Sequence, residues 1–321
     1  MDCHVIVTGV RNPSHLVHVA AYLRALLAEQ PGTVTVTHVG GGRGVGRLTV
    51  TAQQVRSLLP DDPRLRITTV PAGEASWRFP REQWAIYLAV GAPGLKPYAR
   101  MMAANPGRRP LTVVTDEGLG SYGDRRARVA AWARQGVPQP WRTVRAVAVE
   151  AGLRRLTNHR WALYEKADDG WTVTAEVAAE FHRRVPSVTP RPGVAVLLTQ
   201  PWALLGAIDP LVYRDHVAAV ARTTDRAGLE LVVRPHPAED PQDYRGFTVE
   251  PGSGPVELDP AVIGADLVVG GPSTGLLNLA ALHARPARLV EPPGLRRTVR
   301  LSARQRSLVE TFVSPWREGD P

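Results

Sequence analysis

The sequence contains very little cysteine and lysine. Cys3 is the only cysteine among 321 residues, so the chain can form no internal disulfide and no cluster of thiolate metal ligands. The only lysines are Lys96 and Lys166, and arginine supplies the rest of the 39 basic residues. Such an excess is typical of a GC-rich genome. The net charge of +9 also fits an anionic substrate and permits peripheral membrane contact.

Long apolar runs and nucleic-acid signatures are also missing. No stretch approaches the ~18 consecutive apolar residues of a spanning helix, and residues 5–10 are too short an apolar run for a signal peptide. The arginines are scattered without interleaved aromatic residues, so no nucleic-acid partner is expected. With 44% apolar and 21% charged residues, the chain is expected to be globular and cytoplasmic, with two domains at this length.

Short β-branched runs alternate with amphipathic stretches along the chain. This pattern predicts strands at residues 4–9, 33–39, 66–70, 86–90 and 111–115, and helices at 14–29 and 124–134, with Ser14 as an N-cap. A proline-rich linker at 186–192 precedes a second set. That set comprises strands at 193–199, 229–233, 247–250, 265–269 and 288–291, and helices at 210–227, 273–283 and 302–312. The alternation predicts an α/β protein with two Rossmann-like, doubly wound domains, 1–188 and 189–321, whose last helix packs back on the first domain.

The predicted strand at 111–115 ends in the acidic motif Asp116-Glu117-Gly118. Two adjacent carboxylates can raise each other's pKa, and a carboxylate tuned in this way can act as a general base on a sugar hydroxyl. The glycine permits a tight turn. The same stretch is also typical of a solvated turn or a helix N-cap, and the motif alone does not decide between these interpretations.

Two further motifs follow strands of the second half. Arg234-Pro235-His236-Pro237 holds an imidazole between two prolines and adds a cation, which suits a leaving phosphate, although a loop histidine without a role is an equal alternative. Gly270-Gly271-Pro272-Ser273-Thr274-Gly275 precedes a predicted helix. Its backbone N–H groups, with the hydroxyls of Ser273 and Thr274, form a predicted phosphate site that includes Gly271.

Several other patterns are weaker. The loop at residues 40–46 lacks the spacing of a nucleotide-binding loop, although Arg43 could contact a substrate. No histidine lies in a zinc motif and no Asp-x-Asp pair occurs, so no metal site is expected. Residues 271–275 match the Gly-x-Ser-x-Gly of serine hydrolases, which need an acid and then a histidine after the serine. The only later histidine here is His283, ten residues on in the same predicted helix and with no acid between, so a hydrolase is disfavoured.

The ordered set of motifs resembles the bacterial sialyltransferases and polysialyltransferases of GT-B architecture. That family has an Asp/Glu-Asp/Glu-Gly motif, then His-Pro, then a Ser-Ser/Thr pair. The matching residues here are Asp116-Glu117-Gly118, His236-Pro237 and Ser273-Thr274. The resemblance implies a GT-B fold of two Rossmann-like domains facing a central cleft, an N-terminal acceptor domain and a C-terminal donor domain.

The resemblance also implies a reaction and its residues. The reaction is a metal-independent, inverting transfer of a sialic acid or similar acidic sugar from a CMP-activated donor, with no other cofactor, to a hydroxyl of a glycan, lipid or small molecule. Asp116 is implied as the base, beside Glu117, and His236 as the group that assists CMP departure. Donor contacts are implied for Ser273 and Thr274, for Glu257 at the ribose, and for Gln200. Arg234 and Gly271 are expected donor contacts from the strand-end motifs themselves.

Two alternatives remain open on the sequence. One is a GT-B transferase or epimerase that uses another nucleotide sugar, such as a UDP, GDP or TDP sugar or CMP-Kdo. The other is a non-catalytic protein that binds sugar nucleotides. The acidic pair argues against a pure anion binder, because carboxylates repel phosphates.

Overall fold

The computed structural model describes residues 1–40, 50–252 and 254–316. Its helices and strands are β1 (Cys3–Thr8), α1 (Pro13–Glu29), β2 (Val34–Gly40), α2 (Ala52–Leu58), β3 (Leu65–Pro71), β4 (Trp84–Val90), α3 (Leu95–Ala104), β5 (Leu111–Thr115), α4 (Arg125–Arg134), α5 (Trp141–Leu156), β6 (His159–Trp161), β7 (Tyr164–Ala167), β8 (Gly170–Val173), α6 (Ala175–Arg184), β9 (Arg191–Leu198), α7 (Pro210–Arg226), β10 (Glu230–Arg234), β11 (Thr248–Val249), α8 (Pro260–Ile263), β12 (Ala265–Gly270), α9 (Thr274–His283), β13 (Ala287–Leu289), α10 (Leu295–Thr298), α11 (Ala303–Phe312) and β14 (Ser314–Pro315).

Two six-stranded parallel sheets organise these elements. The first has the order β3-β2-β1-β4-β5-β6 and the second β11-β10-β9-β12-β13-β14. Each order is that of a Rossmann sheet, with the switch point between its first and fourth strands. The predicted α/β class with two Rossmann-like, doubly wound domains is therefore confirmed, and such a pair of domains is the one that makes up the GT-B architecture.

Both faces of the first sheet are covered. Alternate residues of β1 point to opposite faces, so Val5 and Val7 pack with α1 residues such as Leu16 and Leu23. Ile6 lies in a separate apolar cluster on the other face, with Tyr87 and Met101. In the second sheet, Ala195 and Leu197 of β9 pack with Tyr213, Val217 and Val220 of α7.

The chain divides into two compact units. Unit 1 comprises Met1–Ser121, Thr143–Glu165 and Thr172–Glu180, and unit 2 comprises Tyr122–Arg142, Lys166–Trp171 and Phe181–Pro321. The domain boundary at residues 188 and 189, and the packing of the last helix on the first domain, stay predictions. Within the described residues, no helix combines the length and apolar character needed to cross a bilayer.

Most predicted elements match observed ones to within one or two residues. One predicted cap is wrong: α1 begins at Pro13, and its N-cap is Asn12, whose side-chain oxygen accepts a hydrogen bond from the His15 N–H at 3.2 Å. Ser14 lies inside the helix because Pro13 already has the φ of a first helical residue. The predicted loop contact Arg43 lies outside the described residues.

Candidate functional site

The acidic motif follows β5 at the carboxyl edge of the unit 1 sheet, and its first acid is fully engaged. The Asp116 side chain is 2% exposed and its Oδ1 lies 3.2 Å from the Arg160 guanidinium. Its Oδ2 accepts a hydrogen bond from the Leu163 N–H at 2.8 Å. Because both carboxylate oxygens bind residues in or just after β6, Asp116 links that segment to the end of β5.

The second acid has the opposite environment. Glu117 is exposed, and its carboxylate forms no hydrogen bond or ion pair with the residues that the structure describes. The carboxylate lies over Gly91, just beyond β4, where a Cβ would come within 2.3 Å of Glu117 Oε2. Gly91 also has a φ of +78°. Both this backbone conformation and the lack of space for a Cβ therefore favour glycine at this position.

The backbone of Glu117 is held on both sides. Its N–H donates to Ser121 Oγ at 2.9 Å, and its carbonyl oxygen lies 3.3 Å from His15 Nε2. The His15 Nδ1 accepts a hydrogen bond from the Arg11 N–H at 3.1 Å, which leaves the proton on Nε2. Burial, with the neighbouring His18, lowers the pKa of His15 to about 3. A neutral His15 therefore donates to Glu117 and fixes its position.

In unit 2, three predicted segments meet at one edge of the sheet. β9 lies between β10 and β12, and the strands are parallel. Gln200 follows β9, His236 follows β10, and Ser273 follows β12, so all three lie at carboxyl ends of neighbouring strands. Ligands of Rossmann sheets bind in this position, beside the switch point.

The ring of His236 has a single N–H group available to a ligand. Its Nδ1 accepts a hydrogen bond from the Ala238 N–H at 3.1 Å, so the proton of the neutral ring is on Nε2, which contacts no described polar group. Burial lowers the pKa of His236, and the ring is neutral near pH 7. The geometry therefore suits a neutral hydrogen-bond donor rather than a charged acid.

Glu239 holds the His236 loop in place, and the sequence reasoning missed it. Its carboxylate accepts hydrogen bonds from the His236 N–H at 2.9 Å, the Tyr244 hydroxyl at 2.8 Å and the Thr199 hydroxyl. The Thr199 oxygen also accepts from the His236 N–H at 3.1 Å. An acid three residues after the histidine of the His-Pro pair was the signal that could have found it.

Arg234 lies beside this loop but is already partnered. It is 6% exposed, and its guanidinium contacts Asp259 at 3.0 Å and the carbonyl oxygens of Glu250 and Gly254 at 3.2 Å each. The guanidinium also occupies the space beside Gly252, where a Cβ would lie 1.5 Å from its nitrogens. Through these contacts Arg234 stabilises the loop after β11.

The glycine-rich segment after β12 starts helix α9. Ser273 is the N-cap, and its Oγ accepts from the Leu276 N–H at 3.2 Å, which leaves its own hydroxyl proton available to a ligand. Thr274 is the first helical residue. Gly271 is covered by Trp202, whose ring would lie 1.9 Å from an added Cβ, so this glycine accommodates the indole.

The remaining predicted donor contacts differ in exposure. The Gln200 side chain donates to the Thr199 carbonyl at 2.9 Å and is half-buried. Glu257 is 4% exposed, and its carboxylate accepts from Asn278 of α9 at 3.1 Å. Its backbone oxygen lies 3.0 Å from His283 Nε2. Glu257 thus joins the 3-10 turn at Val256–Leu258 to α9.

Together the fold and these strand ends define a protein with two Rossmann-like units, each with polar groups at its carboxyl edge. Among the described residues, no group of three His, Cys, Asp or Glu side chains could hold a metal ion. No protein-family model matches the chain. No curated protein matches it either.

Solved structures similar to this chain include glycosyltransferases and a sugar epimerase. The E. coli heptosyltransferase WaaC with ADP is 14% identical, with 92% of this chain and 89% of that chain covered and a TM-score of 0.41. The glycotransferase of kitacinnamycin is 12% identical, with 100% and 87% covered and a TM-score of 0.47. The UDP-GlcNAc 2-epimerase of Methanocaldococcus jannaschii is 10% identical, with 97% and 91% covered and a TM-score of 0.49. These similarities concern the fold and say nothing about the substrate.

Proposed function

We propose that the protein is a metal-independent, inverting glycosyltransferase that moves a sialic acid or a related acidic sugar from a CMP-activated donor to an acceptor hydroxyl. The observation that carries this proposal is the meeting of His236 and the start of α9 at neighbouring strand ends of unit 2. The order of the acidic, His-Pro and Ser-Thr motifs supports the choice of CMP.

The unit 2 site suits one phosphate group. The Nε2–H of His236 and the hydroxyl of Ser273 are donors, and the first N–H groups of α9 add the positive end of a helix dipole. A nucleoside monophosphate leaves with less charge than a diphosphate, so these neutral donors match its needs. Arg234 and Glu257 take a supporting role in the proposal because their charged groups already contact protein.

The contacts favour Glu117 over Asp116 as the base. A general base must reach the acceptor proton with a free oxygen, and both Asp116 oxygens accept hydrogen bonds from Arg160 and Leu163. In the proposed step, Glu117 takes the hydroxyl proton while the acceptor oxygen bonds to the anomeric carbon. The bond to the CMP phosphate breaks, its electron pair goes to the phosphate oxygen, and His236 hydrogen-bonds to that oxygen.

A panel of nucleotides tests the donor. Thermal unfolding is measured with EDTA and CMP, CDP, UMP, UDP, GDP, TDP or ADP. A ligand at 100 times its dissociation constant stabilises by about 2.7 kcal/mol. We expect stabilisation by CMP above all others and its loss in His236→Ala. Preference for a diphosphate would favour the UDP, GDP or TDP alternative, and CMP binding without turnover of CMP-sialic acid or CMP-Kdo would favour a non-catalytic protein.

A pair of conservative substitutions tests the base. Glu117→Gln should lower transfer by about 10²–10⁴-fold and leave CMP binding and the unfolding midpoint unchanged, because the carboxylate forms no hydrogen bond or ion pair with a described residue. The matched variant is Asp116→Asn, which should retain far more transfer per folded molecule. Near-normal turnover of Glu117→Gln would rule out this assignment.

A further inference from the structure

Helix α5 lies in a segment with many more arginines than acidic residues. The whole chain has 39 basic and 30 acidic residues, whereas residues 125–155 contain eight arginines and one acid, Glu150. The general arginine content therefore does not explain the imbalance. Arg145, Arg154 and Arg155 of α5 are exposed, and none forms an ion pair with a described residue.

The exposed side of α5 is also apolar. Trp141, Val144 and Val147 are 59%, 50% and 45% exposed. Their spacing of three places them on one side of the helix, within about 9 Å along its axis. Arg155 lies further along the helix, about 21 Å from residue 141. Ala146 lies on the other side of the helix from Val144 and is fully buried.

We propose that this surface, the α5 face, binds the headgroup region of an anionic membrane. It is defined by its exposed apolar and basic residues: Trp141, Val144, Arg145, Val147, Arg154 and Arg155. A bilayer interface can bind both the apolar and the basic residues of this face. Tryptophan and valine enter the boundary of the acyl chains, while arginines pair with lipid phosphates.

Two other occupants fit less well. A nucleic acid offers phosphates to the arginines but nothing to Val144 and Val147. A second copy of this chain in a two-fold dimer would place the same arginines against one another, and like charges repel. The charge and the apolar residues together therefore favour a lipid surface.

Vesicle co-sedimentation of the full chain tests the proposal without donor or acceptor. We expect binding to vesicles with 30% phosphatidylglycerol (a composition on the order of an anionic leaflet) and little binding to pure phosphatidylcholine. Arg145→Gln/Arg154→Gln/Arg155→Gln should weaken partitioning roughly 100-fold, about fivefold per arginine. Val144→Ser/Val147→Ser should weaken it roughly tenfold or more, since the valines lose apolar burial.

The matched control removes the same charge from α7. Arg214→Gln/Arg222→Gln/Arg226→Gln also lowers the net charge by three at exposed positions, but Asp215 and Asp225 accompany those arginines, so binding should change less than threefold. An equal loss of vesicle binding in both triple variants would overturn the proposal. Unchanged vesicle binding of the valine variant would also overturn it, because the surface would then bind polyanions through charge alone. A valine variant that dissociates a dimer in sedimentation, with vesicle binding intact, would assign the face to a second copy instead.

Discussion

Substitution of Glu239 separates the geometry of the His236 loop from its charge. The carboxylate accepts hydrogen bonds from His236, Tyr244 and Thr199. Glu239→Ala removes the acceptor of all three, and a hydrogen bond to a charged group contributes about 1.5–3 kcal/mol. Two of these donors also have a second acceptor. The His236 N–H lies 3.1 Å from the Thr199 hydroxyl oxygen, and the Thr199 hydroxyl lies 3.5 Å from the Arg234 carbonyl oxygen. We therefore expect a loss of about 2–4 kcal/mol in the free energy of unfolding.

Glu239→Gln should behave differently. The glutamine carbonyl can still accept from His236 and Thr199, and its amide can donate to the Tyr244 oxygen. Burial raises the pKa of Glu239, so folding disfavours its charged form relative to its protonated form. Its contribution to stability is present at low pH and is lost as pH rises through the raised pKa. Because glutamine carries no charge, the stability of Glu239→Gln relative to wild type should rise over that range.

Three measurements check this prediction. Urea unfolding at several pH values gives both stability differences, calorimetry gives CMP affinity, and the ¹⁵N shifts of the His236 ring report its tautomer. We expect about tenfold weaker CMP binding in Glu239→Ala and less than threefold in Glu239→Gln. Glu230→Ala is the control, since that exposed acid accepts one bond from Thr248. Wild-type stability and CMP affinity in Glu239→Ala would refute the reasoning.

Two further substitutions probe packing and the acidic motif. Gly271→Ala places a Cβ 1.9 Å from the Trp202 ring and should cost about 1–3 kcal/mol, seen in urea unfolding followed by tryptophan fluorescence. Asp116→Asn turns an amide toward Arg160, which is 37% exposed and can turn to water, so the loss in unfolding free energy should be about 1–3 kcal/mol.

Each of these two substitutions has an outcome that would contradict the reasoning. Gly73→Ala is the control for the glycine, because nothing lies within 4 Å of its added Cβ; equal effects of the two would contradict the packing argument. Should Asp116→Asn abolish transfer in a fully folded protein while Glu117→Gln works normally, Asp116 rather than Glu117 would be the base.

Strand periodicity and strand-end chemistry were readable from the sequence because they are local. The run at 111–115 matches β5 at both ends, and Ser273 caps α9 where the predicted helix begins. Once the strands are parallel, their carboxyl ends must share an edge, so the meeting of Gln200, His236 and Ser273 follows from the order of motifs. α5 was missed, since its alanines, valines and arginines show little apolar periodicity.

The sequence by itself therefore determined the two sheets and the segments at their carboxyl edges. Only the tertiary structure decided which side chains remain available there. Asp116 and Glu117 are chemically alike and adjacent, yet Arg160 and Leu163, more than 40 residues away, occupy the first and leave the second exposed. The physical reason is that a polar group's hydrogen-bond partners come from distant segments of the chain, and local pattern carries no record of them.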